Sequence, residues 1–384
     1  MTQIGDRQSL RRPRIATSVI FAAHGAVTGT FAARVPWIAH HVGAEVGALG
    51  MALLMPGLGS LLAMPISGRL VHRFNLRSLV RVLILLWPAA LILTSLPADV
   101  PVLCATLAVY GATAGLADVA MNAHAVLIEE RLQRSVMSGF HGWWSVGGLV
   151  GSAIAVGAAK AGVDARVHFA ITAAGLMVIT LVASGWLIPH RPHPTTDEPS
   201  AFALPSPQVL PIGLIGLCAV FAEGASLDWS AVYLSDLLHH PAATGAATVS
   251  IFSVCMAVAR FGGDWVVRRL GPVTTVRLSG ACATAGALIV VLTKSAISVI
   301  TGFGLLGIGI AVVVPLVFAA AGKIGSSPGR SIAGVAGIAY GSGLIAPGVI
   351  GGIAHLSSLT VSFVVIVVLV ALMGLCAQVL RPAV

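Results

Sequence analysis

Charge is scarce in this sequence. Asp, Glu, Lys and Arg make up 9% of the 384 residues and the acids number 13, whereas an ordinary globular domain carries roughly a quarter charged residues. A water-soluble enzyme of this length is thereby excluded. Aromatic residues are also few, at 6% with three tyrosines. Basic residues are scattered singly, with no stripe and no interleaved aromatics, so the formal charge of +9 does not point to nucleic acid. The five cysteines (Cys104, Cys218, Cys255, Cys282, Cys376) fall inside apolar runs without metal-ligand spacing and read as packing residues. No Gly-rich phosphate loop followed by Lys and Ser or Thr occurs, which argues against ATP drive. There is no metal-ligand cluster or nucleophile triad either, so the expectation is a non-enzyme without a cofactor.

Hydrocarbon is what the chain has in abundance. Apolar residues make up 57% and glycines number 44, and the mean hydropathy is +0.97. Apolar runs such as Phe363 to Ala377 are continuous, unlike the two-residue alternation of a membrane β-barrel. Windows of about 19 residues place helical spans near 15–38, 46–70, 78–97, 101–128, 134–159, 166–188, 209–235, 244–268, 273–293, 296–321, 330–354 and 359–380. The fold class is therefore an all-α membrane protein of twelve transmembrane helices. One long polar break, His190 to Gln208 with five prolines, separates two six-helix halves. The expected domains are residues 1–188, a cytoplasmic linker at 189–207, and residues 208–384.

The halves repeat. A shift of 196 residues places Gly111 on Gly307, Arg134-Ser135 on Arg330-Ser331, Trp144 on Tyr340 and Gly147 on Gly343, and a shift of 199 places His24-Gly25-Ala26 on Glu223-Gly224-Ala225. Six spans per half give both copies one orientation, the parallel-repeat arrangement. With the N-terminus cytoplasmic, 18 basic residues fall on the inner side and four, Arg34, Lys160, Arg166 and Lys294, on the outer side. That asymmetry puts both termini inside a bacterial cytoplasmic membrane. The first apolar run lacks a small-residue cleavage site and is long enough to span, so no cleavable signal peptide is expected.

Ionisable groups in hydrocarbon are costly, and each one within a span is a functional candidate. Asp118 and Asn122 are four apart on the fourth span, on the face that carries Gly111 and Gly115. Their second-half counterparts, Val314 and Phe318, are apolar, so the carboxylate chemistry is one-sided. Desolvation raises a carboxyl group's proton affinity and a nearby cation lowers it, the tuning a proton-coupling site needs. On the fifth span His141 lies about 10 Å from the inner helix end at 1.5 Å per residue, a depth matching Asp118. The pair is a candidate proton relay. Asn122, Trp144, Ser145, His24, Thr28, Glu223 and Tyr340 are candidate substrate contacts. Glu223 and Asp228 are about 140° apart around their helix, so one of them contacts a neighbouring helix, and Glu223 is favoured for the cleft. The candidate gate comprises Arg69, Arg73, Glu129, Arg134, Asp264, Arg268 and Arg269 at inner helix ends, with Arg260 and Asp264 spaced to pair along one helix.

These residues resemble the major facilitator superfamily over essentially the whole chain. The stretch from Gly68 to Arg77 resembles its signature between spans two and three, with His72 where an aspartate is usual. More narrowly, Ala120-Met121-Asn122, Phe140-His141-Gly142-Trp143-Trp144-Ser145-Val146-Gly147 and Glu223-Gly224-Ala225-Ser226-Leu227-Asp228-Trp229-Ser230 resemble the bacterial YbjJ-like group that includes the rhizopine-associated transporter MosC, a group distantly similar to proton-coupled fucose permease. That resemblance implies Asp118 as proton acceptor, Asn122 as substrate ligand and His141 in place of a glutamine ligand. The permease's first-span acid has no match here, its position falling near Ala32, so fucose itself is not implied. The fifth span also lacks the Gly-Pro of the antiporter signature.

The expected function is alternating-access transport of a small polar solute, sugar-, inositol- or amino-sugar-like, with proton coupling. The expected partners are that solute, protons and membrane lipid, with the chain a monomer. The alternatives are a proton-driven antiporter exporting a drug-like or amphipathic metabolite, and a non-transporting membrane receptor.

Overall fold

A computed structural model describes residues 10–44, 46–191, 206–234, 238, 242–325 and 328–381. Most of the expected linker, at 192–205, lies outside these residues. Among the described residues the helices fall into twelve segments. They are α1 (Arg11–His41), α2 (Val46–Arg73), α3 (Leu76–Leu93), α4 (Val100–Leu132), α5 (Met137–Lys160), α6 (Ala165–Ser184), α7 (Leu210–Val232), α8 and α9 in the run Ala242–Leu292, α10 (Ala296–Ala321), α11 (Pro328–Leu356) and α12 (Leu359–Leu375). The run Ala242–Leu292 is divided by Gly271, whose φ of 76° and ψ of 166° suit only glycine, followed by Pro272. Ten of the described helices, counting that run once, are long and apolar enough to cross a membrane; α12 is a shorter apolar helix of 17 residues.

Helices dominate because lipid offers backbone groups no partner, and the helix starts are capped accordingly. Asn75, Asp99, Asp164 and Ser358 each accept a backbone N–H of their own first turn. Gln133, in the left-handed region at φ 51°, closes α4. Close helix contact rests on glycine: a Cβ at Gly111 would enter the Pro56 backbone of α2, and one at Gly147 or Gly151 would enter the Ala22 or Ala26 backbone of α1. Large apolar side chains such as Leu62, Ile171, Val178 and Leu372 stay exposed, as a lipid-facing surface requires.

The chain divides into two compact units, Met1–Val136 with Phe140–Pro205 and Gly325–Gly334, and Met137–Gly139 with Ser206–Ile324 and Val335–Val384. The first unit thus includes the opening residues of α11, and the second the first three residues of α5.

Candidate functional site

In the first unit, α4 and α5 bring three polar side chains together. Asp118, Asn122 and His141 are 8%, 0% and 7% exposed, so the cluster is withdrawn from bulk solvent. The Asn122 amide donates from Nδ2 to the Asp118 carboxylate at 3.1 Å and to the Asp118 carbonyl at 2.9 Å. Its Oδ1 can only accept, so the His141 Nε2 lying 3.2 Å away is the donor. The i, i+4 spacing on α4 produces the first contact, and the matched depth on α5 produces the second. Phe21 of α1 meets the His141 ring edge-on at 5.3 Å and stacks with Phe140 at 5.5 Å, which limits rotation of the imidazole. Two groups able to bind a proton, a carboxyl and an imidazole, are thus held on either side of one amide.

His24, Trp144 and Thr28 also lie in this unit, but they are engaged with one another. Trp144 donates its indole N–H to His24 Nδ1 at 3.0 Å, and Thr28 donates to the His24 carbonyl at 3.2 Å. The His24 ring stacks on Trp87 at 5.1 Å, and Trp87 leans on Tyr110 at 4.2 Å. His24 therefore joins α1, α3 and α5. Ser145 returns its hydroxyl to the His141 carbonyl at 3.2 Å.

The second unit holds Glu223 and Tyr340. Glu223, not Asp228, is the acid that contacts a neighbouring helix. Both of its carboxylate oxygens lie 3.3 Å from Nη2 of Arg260 on α8, while Asp228 is exposed. The pairing does not withdraw Glu223 from its surroundings, since its side chain keeps 21% exposure beside Arg260. Pro315 explains where Arg260 points. Lacking an N–H, it leaves the Ala311 carbonyl of α10 without its helical donor, and Arg260 Nε donates there at 3.3 Å. Tyr340 packs 6.2 Å from Phe318.

The expected gate residues separate. Arg73, Arg134, Arg268 and Arg269 are exposed, Arg69 is half-buried, and Arg269 sits over Trp265 at 5.8 Å. Glu129 accepts the Val136 N–H at 2.9 Å just ahead of α5. Asp264 has the most definite role. Buried to 7% exposure, it accepts the Ser138 and Gly139 N–H groups at 3.0 and 2.9 Å, while Ser138 Oγ donates to the Arg260 carbonyl at 2.5 Å. A carboxylate from α8 thus caps the start of α5, where the helix dipole favours negative charge.

Sequence reasoning missed His124. Ile188 donates to its Nε2 at 3.1 Å, so its Nδ1 carries the proton and faces the Thr17 hydroxyl at 3.1 Å. Together with the Leu76 N–H on the His190 carbonyl at 2.8 Å, this fixes the segment after α6. No motif signals such a contact, since His124 is merely two residues beyond Asn122.

Residues 17–343 match the sequence profile of the Major Facilitator Superfamily. The chain belongs to this superfamily. It is 34% identical over 364 residues to the transporter y4wD of Sinorhizobium fredii, covering 94% of this chain and 96% of that one. It is 28% identical over 341 residues to the membrane protein MosC of Rhizobium meliloti, covering 87% and 82%. Among solved structures the fold is similar to FucP in its outward conformation, with a TM-score of 0.78 at 13% identity covering 98% of this chain and 100% of that one. It is also similar to the proton:xylose symporter XylE, with a TM-score of 0.76 at 11% identity covering 96% and 95%. The superfamily fold and a transporter family are thereby established for this multi-pass membrane protein.

Proposed function

We propose that the protein is a proton-coupled symporter for a small polar solute, sugar-, inositol- or amino-sugar-like, in the bacterial inner membrane with both termini cytoplasmic. The single observation that carries this reading is the buried line Asp118–Asn122–His141. A dry carboxyl group is costly as an anion and cheaper as an acid, so its protonation can be coupled to a change in the groups around it. Asn122 couples proton and solute: a solute hydroxyl that takes the amide from Asp118 changes the carboxylate's stabilisation. Structural neighbours that carry fucose or xylose with protons are consistent with such a solute.

Alternating access moves the two halves of a superfamily transporter about a fixed site. Asp264 is then a gate residue, since its hold on Ser138 and Gly139 is a contact that movement of α5 must break. Arg69, Arg73, Glu129, Arg134, Arg268 and Arg269 serve the same inner end. No cofactor is required, because the proton gradient drives accumulation.

The test is transport in proteoliposomes with an imposed pH gradient, after a thermal-shift screen of sugars, inositols and amino sugars has found a ligand. Asp118→Asn is expected to abolish gradient-driven accumulation while retaining solute counterflow. Native-rate accumulation by that variant would falsify the coupling assignment. Export of lipophilic cations would favour the antiporter reading instead.

A further inference from the structure

A second buried polar cluster lies in the first unit, at the end of α1 remote from the amino terminus. Arg34 is 4% exposed and Thr30, one turn earlier on the same face, is 0% exposed. Arg34 Nη2 donates to the Val163 carbonyl at 2.9 Å, which brings the guanidinium to the start of α6. His168, in the first turn of α6 and 5% exposed, follows five residues after Val163, whose carbonyl the Arg34 guanidinium meets. The three side chains leave an unusual set of atoms. Arg34 Nε, Thr30 Oγ1 and both His168 ring nitrogens are buried and have no hydrogen-bond partner among the described residues. Elsewhere Thr28, Thr180 and Thr248 return their hydroxyls to the carbonyl four residues back. Thr30 does not.

The charge is as unbalanced as the hydrogen bonding. A guanidinium cannot deprotonate in a protein, and a carbonyl contact does not neutralise it. No described acid forms an ion pair with Arg34. Asp164, one residue beyond Val163, is exposed and accepts the Arg166 N–H of its own helix. Arg166 adds a second cation at this end, its Nη2 2.6 Å from His41 Nε2, and the N-terminal end of α6 adds a positive dipole. A buried cation without a counter-charge is among the more expensive features a membrane protein can hold.

We propose that Arg34 Nε–H, Thr30 Oγ–H and one N–H of His168 bind a small inorganic anion of chloride's size, which supplies the missing counter-charge and ties α1 to α6. Three donors of different flexibility around one cation suit a spherical monovalent anion. The site is separate from the Asp118 cluster on α4 and α5, and its test does not depend on transport.

Thermal melting of the purified protein in sodium chloride and in sodium gluconate, at equal ionic strength, provides that test, with bromide as a second probe. The native chain is expected to melt roughly 2–5 °C higher in chloride or bromide, as binding to the folded state requires. Thr30→Val and His168→Phe should each shrink the difference at least twofold, and Arg34→Gln should remove it. Bromide-derivative crystals should show anomalous density beside Arg34 Nε. Equal melting in all three salts, a chloride effect undiminished in the Thr30 and His168 variants, or water alone at that position would overturn the proposal. If Arg34→Gln does not fold, the Thr30 and His168 variants and the bromide position decide the matter.

Discussion

Asn122 is where one side chain determines the behaviour of two others. Its amide donates from Nδ2 to Asp118 and accepts at Oδ1 from His141, so an apolar replacement strips a partner from each inside the membrane. An unmet buried polar group costs about 1–3 kcal/mol. Asn122→Leu is therefore expected to lower the melting temperature of the detergent-solubilised protein and to abolish transport. His141→Gln keeps a side-chain N–H to offer Asn122 and should cost about 1 kcal/mol or less, while removing the imidazole's titration from the pH profile of uptake. An unchanged pH profile in that variant would show that His141 carries no proton. Glu223 supports a parallel argument. Glu223→Gln leaves the Arg260 guanidinium, 5% exposed, without its carboxylate, at a cost of about 2–4 kcal/mol; a melting temperature within 1 °C of the native value would contradict that account. Asp118 and Asn122 were legible from their i, i+4 spacing, and His141 from its depth. The ion pair to Arg260 was not, because it depends on the rotation of α7 against α8 and on a proline on a third helix.

At the scale of elements, glycine spacing separates the helices that must touch from those that only neighbour lipid. Gly147 and Gly148 are adjacent on α5 and face different surroundings. A Cβ at Gly147 would enter the Ala22 backbone of α1, whereas one at Gly148 would meet only the Gly25 carbonyl at 3.6 Å, an ordinary contact. Gly147→Ala is expected to cost several kcal/mol by forcing α1 and α5 apart, and Gly148→Ala to cost under about 1 kcal/mol. Folded yield in detergent, measured by size-exclusion chromatography, checks the pair, and equal tolerance of both changes would refute the packing account. Gly147 and Gly151 have small-xxx-small spacing in the sequence, a pattern that does not say which helix they meet. Span positions were legible to within a few residues because apolar length is a property of one segment. The Arg260 carbonyl acceptor for Ser138 and the cap from Asp264 were not, since partners of the α5 first turn come from a helix more than a hundred residues later.

For the whole molecule, orientation in the bilayer is the property that charge distribution fixes most directly. Eighteen basic residues fall on one side of the expected topology and four on the other, and translocation of Lys and Arg is what cells resist. The helix ends agree with the segments that the charge pattern needs: α5 ends at Lys160, α6 begins beside Arg166, and His190 follows α6 on the opposite side. Gly162, at φ 73° in the turn between α5 and α6, and His190 therefore belong to opposite faces of the membrane. With Cys104, Cys218, Cys255, Cys282 and Cys376 replaced by serine or alanine, a single cysteine can be placed at either point. Gly162 sits at a positive φ, so its own replacement is strained, and Ala161, at a negative φ of −77° that any residue adopts, is the better site. Ala161→Cys is expected to react with a membrane-impermeant maleimide in intact cells, and His190→Cys only after permeabilisation. The opposite pattern would invert the topology and place Asp264, with the start of α5, on the outer side. The gate assignment would then fail, whereas the Asp118–Asn122–His141 contacts, which lie within one bundle, would stand unchanged.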